Sequence, residues 1–247
     1  MTRRASVACA AAILASSCAA PLMTLPTGPG TPVSDGAALL EQATTACRDA
    51  RTFTAELGLS GRVNGRRARG RLLAGVAAPA SVYLDAPAPF GASVFIFGAV
   101  DDSATLLLPR DRRVLAGGRP ADVLEAVTGV PLAPAEVRDV LTGCPQSLDA
   151  SAAVQLGDQW RLIQGEPAIY LRRAAPAGPW QVAAVLHRPT GRLAWRAEYA
   201  EVAHGVPKSI RLISAEADRF DLRLSVSQVE VNGPLEAGVF HPPVPSG

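Results

Sequence analysis

Cysteine carries most of the reactive chemistry in this sequence, and its four copies divide by position. Cys18 follows Ala15, Ser16 and Ser17, small side chains of the kind that a signal peptidase groove admits beside a scissile bond. Its thiol is the nucleophile that lipidation would modify. Cys9 lies upstream of that cut and would leave with it. Cys47 and Cys144 remain, and in an oxidising compartment they either pair as a disulfide or stay as two buried thiols. A bond between them would close a loop of about 100 residues, for which the chain-entropy model gives roughly 4–5 kcal/mol as an upper bound.

The other candidates for chemistry are weaker. His187 stands just before a proline turn, His204 beside Gly205, and His241 before two prolines. None has a second ligand at metal spacing, so each reads as exposed or locally hydrogen-bonded. Asp101-Asp102 and Asp111-Arg112-Arg113 separate apolar runs and read as solvated turns, not as acid/base pairs. There is no nucleophile elbow, phosphate loop, paired-cysteine motif or His-Glu-x-x-His. The expectation is a protein that is not an enzyme, with no catalytic residue, metal or cofactor. A formal net charge of +2, scattered basic residues and 5% aromatic content argue against a nucleic-acid partner.

The segments that position these residues begin with a sorting signal. Arg3 and Arg4 precede an apolar run over 5–14 that is too short to span a bilayer. A cysteine directly after the small residues resembles the bacterial lipoprotein arrangement, with Ala15 where that arrangement usually carries leucine. The reading is a signal over 1–17, a lipidated Cys18, a flexible Pro/Gly/Thr-rich tether over 18–35, and one domain over 36–247. An ordinary secretory signal cut near Ala20 is the alternative. Ala19 after the lipidated cysteine is not the aspartate that retains such proteins at the inner membrane in enteric bacteria. The outer membrane, facing the periplasm and reached through acyl chains alone, is therefore expected.

Within the domain, Leu39, Leu40, Ala43 and Cys47 recur at helical spacing over 36–51. The period then changes to two. Phe53, Ala55, Leu57, Leu59 and Val63 alternate with polar residues, Asn64-Gly65 supplies the positive φ of a tight hairpin turn, and 67–76 returns with the same alternation. Strands are predicted over 80–86, 93–99 and 104–109. Two short helices follow over 120–128 and 134–142, each with proline near its start and glycine just past its end. The remainder is β-like over 160–164, 168–173, 180–188 and 192–202, and a last hairpin over 209–231 needs a bulge near Ser227 to keep its apolar residues on one face. The fold class is mainly β with helices: about ten or eleven antiparallel strands that curl into an unclosed barrel with the helices as a lid.

This order resembles the bacterial lipoprotein carriers and receptors of the LolA and LolB type. Leu59-Ser60-Gly61-Arg62-Val63 with its arginine-rich return strand is similar to the family's opening hairpin. Ala88-Pro89-Phe90-Gly91 stands where the receptor branch has proline, an apolar residue and glycine. Residues 124–143 are similar to that branch's helical insert, and Asn232-Gly233-Pro234-Leu235 with Phe240 to its closing pattern. The resemblance implies a monomer that holds acyl chains of a lipid or lipidated protein inside the curled sheet. The residues placed in that cavity are Leu57, Leu59, Leu72, Val82, Leu84, Trp195, Tyr199, Phe220, Leu222 and Leu224. Residues 75–80, with Val76 and Pro79, are the candidate for the apolar loop that receptors press into the membrane. A structural envelope lipoprotein with a filled core, docked on a membrane-associated complex, is the second reading.

Overall fold

The computed structural model describes residues 22–145 and 152–243. The signal segment and Cys18 lie outside the described residues. The period-two alternation becomes β2 (Thr52–Val63), β3 (Arg66–Ala77), β4 (Ser81–Ala86), β5 (Phe95–Val100), β6 (Ser103–Leu108) and β7 (Arg113–Ala116). A short β1 (Thr31–Val33) and the helix α1 (Gly36–Arg48) precede them, and α2 (Pro120–Thr128) and α3 (Pro134–Thr142) follow. The second half supplies β8 (Ala153–Gln155), β9 (Trp160–Ile163), β10 (Ala168–Arg172), β11 (Gln181–His187), β12 (Trp195–Ala203), β13 (Val206–Ser214) and β14 (Phe220–Val231), and then a 3-10 turn over Ala237–Phe240.

All fourteen described strands join one antiparallel sheet in the order β1-β8-β9-β10-β11-β12-β13-β14-β2-β3-β4-β5-β6-β7. Its ends, β1 and β7, do not pair, so the barrel stays unclosed. The strands beyond the expected ten or eleven include three that periodicity could not show. β1 and β8 have three residues each, and every residue of β7 is exposed.

Local chemistry explains the long hairpin at the centre. Asn64 and Gly65 adopt φ of 48° and 73°, as a two-residue hairpin turn requires, and Val63 pairs Arg66 across them. On β14 the register shifts between Ser227 and Glu230, which puts the bulge where the parity of Val229 and Val231 demands one. Pro120 and Pro134 open α2 and α3, and Gly129 and Gly143 close them in the left-handed conformation. The Glu136 carboxylate accepts the Ala133 backbone N–H at 2.7 Å, which satisfies one donor at the start of α3.

The helices fill the hollow of the curl. α3 touches both β4 and β13, α1 packs on β8, β9 and β11, and α2 on β5 and β6. Elements so far apart in the sheet order can share a helix only if the sheet bends around it. Cys47 and Cys144 form a disulfide that joins the end of α1 to the residue after the α3 cap. Arg138 of α3, almost fully buried, donates to the Ala50 carbonyl at 3.2 Å.

The bare tether expected up to residue 35 is corrected over its described part. Met23 donates its backbone N–H to Glu198 and accepts from Arg196, Leu25 packs on the outer apolar cluster of β8 to β11, and Thr31–Val33 pairs with β8. That outer face carries Val154, Tyr170 and Leu186, so it needs a cover, and the proline-rich segment can serve as an edge strand because it needs few backbone partners.

Candidate functional site

The inner sheet face is packed over most of its length and hollow at one end. Leu57, Val82, Leu84, Trp195, Tyr199, Phe220 and Leu224 are each at most 8% exposed and belong to one continuous core cluster. Tyr199 reaches the Asp139 carbonyl with its hydroxyl at 3.5 Å, and burial pushes that hydroxyl far above the usual tyrosine range. These seven pack against side chains and do not line the hollow. Leu59, Leu72 and Leu222 do line it. All ten residues belong to or pack on one apolar cluster, and three of them line open space.

The hollow is a cavity of about 740 Å³. It exists because β3 pairs with β4 only from Leu73 onward. Residues 66–72 still pair with β2, yet no described strand covers their other side. The sheet therefore splits, and the gap is bounded by the free edge of β3, the 87–94 loop between β4 and β5, and the end of α2. Val63 and Ala68 of the hairpin, Val127 of α2, and Val94 and Phe95 complete an apolar wall. Gly70 on the same face adds no side chain to obstruct it.

The lip of the cavity has a different character. Every charged residue lining it is an arginine: Arg67, Arg69, Arg71 and Arg110. Register explains the first three. Ala68, Gly70 and Leu72 face inward opposite Gly61, Leu59 and Leu57, so the alternating arginines stand on the outer side of the same free edge. Arg110 donates to the Ala92 carbonyl at 3.3 Å and to the Phe90 carbonyl at 3.5 Å, which ties the 87–94 loop to the mouth. On that loop Phe90 is 89% exposed and Val94 48%. In the 75–80 segment Val76 is 1% exposed and Gly75 lies against Leu235, so only the small Ala78 and Pro79 are exposed there. Phe90 is the larger and more exposed apolar side chain near the mouth.

In two charged clusters elsewhere the groups face one another. Asp221 takes Arg211 in a bidentate pair at 2.9 and 2.7 Å, and the hydrogen bond from Arg211 holds its carboxyl below the usual aspartate range. His187 lies 2.7 Å from Glu166 and 3.2 Å from Glu136 and stacks on Trp195, which links α3 to the β10–β11 hairpin. Among the described residues no group of three or more His, Cys, Asp or Glu is arranged to hold a metal ion. No described helix is long and apolar enough to cross a membrane.

The architecture is therefore an unclosed antiparallel sheet curled around three helices, with a hollow at one split. The solved structures similar to this chain include a LolA superfamily protein from Nitrosomonas europaea, at 13% identity and a TM-score of 0.53 over 83% of this chain and 96% of that one. A DUF1329 family protein from Desulfovibrio piger matches at 13% identity and a TM-score of 0.49, over 84% and 98%. A domain assigned to outer membrane lipoprotein sorting, from Vibrio parahaemolyticus, matches at 10% and 0.47, over 83% and 97%. The first of these likenesses establishes the fold. No family model and no curated protein matches the sequence.

Proposed function

We infer that this chain is an envelope protein that takes an acyl chain of a lipid or lipidated protein into the cavity beside β3. In this reading it is a monomer, anchored through Cys18 and facing the periplasm, and it assists delivery of its ligand to the outer membrane. The observation that carries the reading is an apolar hollow of about 740 Å³ opening at an unpaired strand edge. That volume lies within the roughly 300–1,000 Å³ typical of ligand sites. Each methylene moved from water into such a wall is worth about 0.8 kcal/mol. The lateral split lets a chain enter without unfolding the sheet. Phe90, beside the mouth, supplies the apolar contact with a bilayer.

The packed remainder of the inner face favours a second reading, a structural lipoprotein with a filled core that docks on an envelope complex. One substitution separates the two. Ala68 is half-buried on the cavity wall, and Ala68→Trp fills the hollow from the hairpin side. Uptake of a fluorescent fatty acid is expected to fall by about tenfold or more, while the thermal midpoint moves by only a few degrees. Absence of uptake by the unsubstituted chain, together with native mass spectra free of lipid, supports the structural reading instead.

A further inference from the structure

The cavity has one chemistry inside and another at its lip, and the lip is electrostatically incomplete. All four charged residues lining the cavity are arginines. Across β2 and β3, Arg67 stands directly opposite Arg62, a like-charge pair that destabilises a sheet unless something neutralises it. Asp221, next to Arg62 on β14, is engaged by Arg211. Arg71 has Glu56 at 3.6 Å. Arg67 and Arg69 have no carboxylate within ion-pairing distance among the described residues, and both are exposed.

We propose that the cavity selects anionic amphiphiles, holding the acyl chain against the apolar wall and the negative head group at Arg67 and Arg69 on the free edge of β3. This proposal rests on the acyl-binding reading above and names the class of ligand. A guanidinium fork binds carboxylate or phosphate through paired hydrogen bonds. A negative head group at the lip would also relieve the Arg62–Arg67 repulsion, whereas a neutral head group would leave it in place. Geometry supports the division of labour: consecutive residues of one edge strand point to opposite faces, so Ala68 and Leu72 meet the chain where Arg67 and Arg69 meet the head.

The test uses the full chain carrying Cys18→Ser, which has no acyl anchor of its own to compete for the cavity. Four single-chain probes of equal chain length are titrated below their micelle-forming concentrations: a fatty acid, lysophosphatidylglycerol, lysophosphatidylcholine and a monoacylglycerol. At low salt the two anionic probes are expected to bind about tenfold tighter than the two net-neutral ones. The preference should shrink toward unity in roughly 0.5 M salt, where exposed charges are screened. Arg67→Gln with Arg69→Gln should abolish it, bringing the two anionic probes down to the affinity of the neutral pair measured on the same variant. The stronger of the two anionic arms identifies a carboxylate or a phosphate head. Equal affinity for charged and neutral probes overturns the proposal and leaves acyl binding standing, as does a preference that survives both substitutions. Failure of all four probes overturns the acyl-binding reading itself and this proposal with it.

Discussion

Phe90 is the most exposed large apolar side chain among the described residues. A phenylalanine 89% exposed, flanked by Pro89 and Gly91 on the 87–94 loop, gains little from folding and presents most of its apolar surface to water. Arg110 holds the loop in place through two carbonyls, so the exposure is built into the fold. If the mouth of the cavity meets a bilayer, Phe90 is what enters it. Burial of a phenylalanine is worth roughly 1.5–3 kcal/mol, so Phe90→Ser should weaken vesicle association by about 10- to 100-fold. Phe90→Trp should retain the association, and neither substitution should move the thermal midpoint. Flotation with phospholipid vesicles measures this directly, and equal flotation of all three chains would show that the loop does not touch lipid.

At the scale of the element, punctuation was more legible than periodicity. α2 and α3 begin and end where proline and glycine set them, because both residues act through backbone geometry that no tertiary contact overrides. β7 left no pattern because its four residues are all exposed. β1 was hidden for a different reason: its three residues, with Pro32 at the centre, are too few to show alternation, and it pairs with β8 beside an outer apolar face that only the folded sheet creates. The C-terminal segment depends on a close approach of the same kind. At Gly98 of β5 an added Cβ would lie 2.4 Å from the Phe240 carbonyl oxygen and 2.3 Å from the Pro242 ring. Gly98→Ala must displace the 3-10 turn or β5, and overpacking of this sort costs about 1–3 kcal/mol. For a chain of this size that is a fall of about 2–12 °C in thermal midpoint. Hydrogen exchange over residues 237–240 should rise, while the β2–β3 hairpin keeps its protection. A midpoint equal to that of the unsubstituted chain would mean that the segment is not seated on β5.

For the whole molecule, the difference between a filled end and a hollow end is what the sequence could not express. Alternation assigns Leu57, Leu59, Leu72 and Leu224 to one face with equal force, and nothing in their spacing says which of them the helices cover. That depends on where α1 and α3 lie across the curl, and the disulfide helps to fix both. Cys47 and Cys144 tie the two helices together over a sequence separation of 97, on the side of the sheet where Tyr199 and Ile210 are sealed. The cavity is walled instead by α2, the β2–β3 hairpin and the 87–94 loop, which the bond does not touch. Stability and ligand capacity should therefore separate. Replacing both cysteines by alanine removes a cross-link whose loop entropy is worth at most roughly 4–5 kcal/mol, so the denaturant midpoint should drop markedly. Affinity for an acyl probe, measured well below that midpoint, should stay within about twofold, a change of only ~0.4 kcal/mol. Loss of binding in the folded double variant would instead mean that the helix layer and the hollow form a single mechanical unit, with the shape of the cavity set from the sealed end.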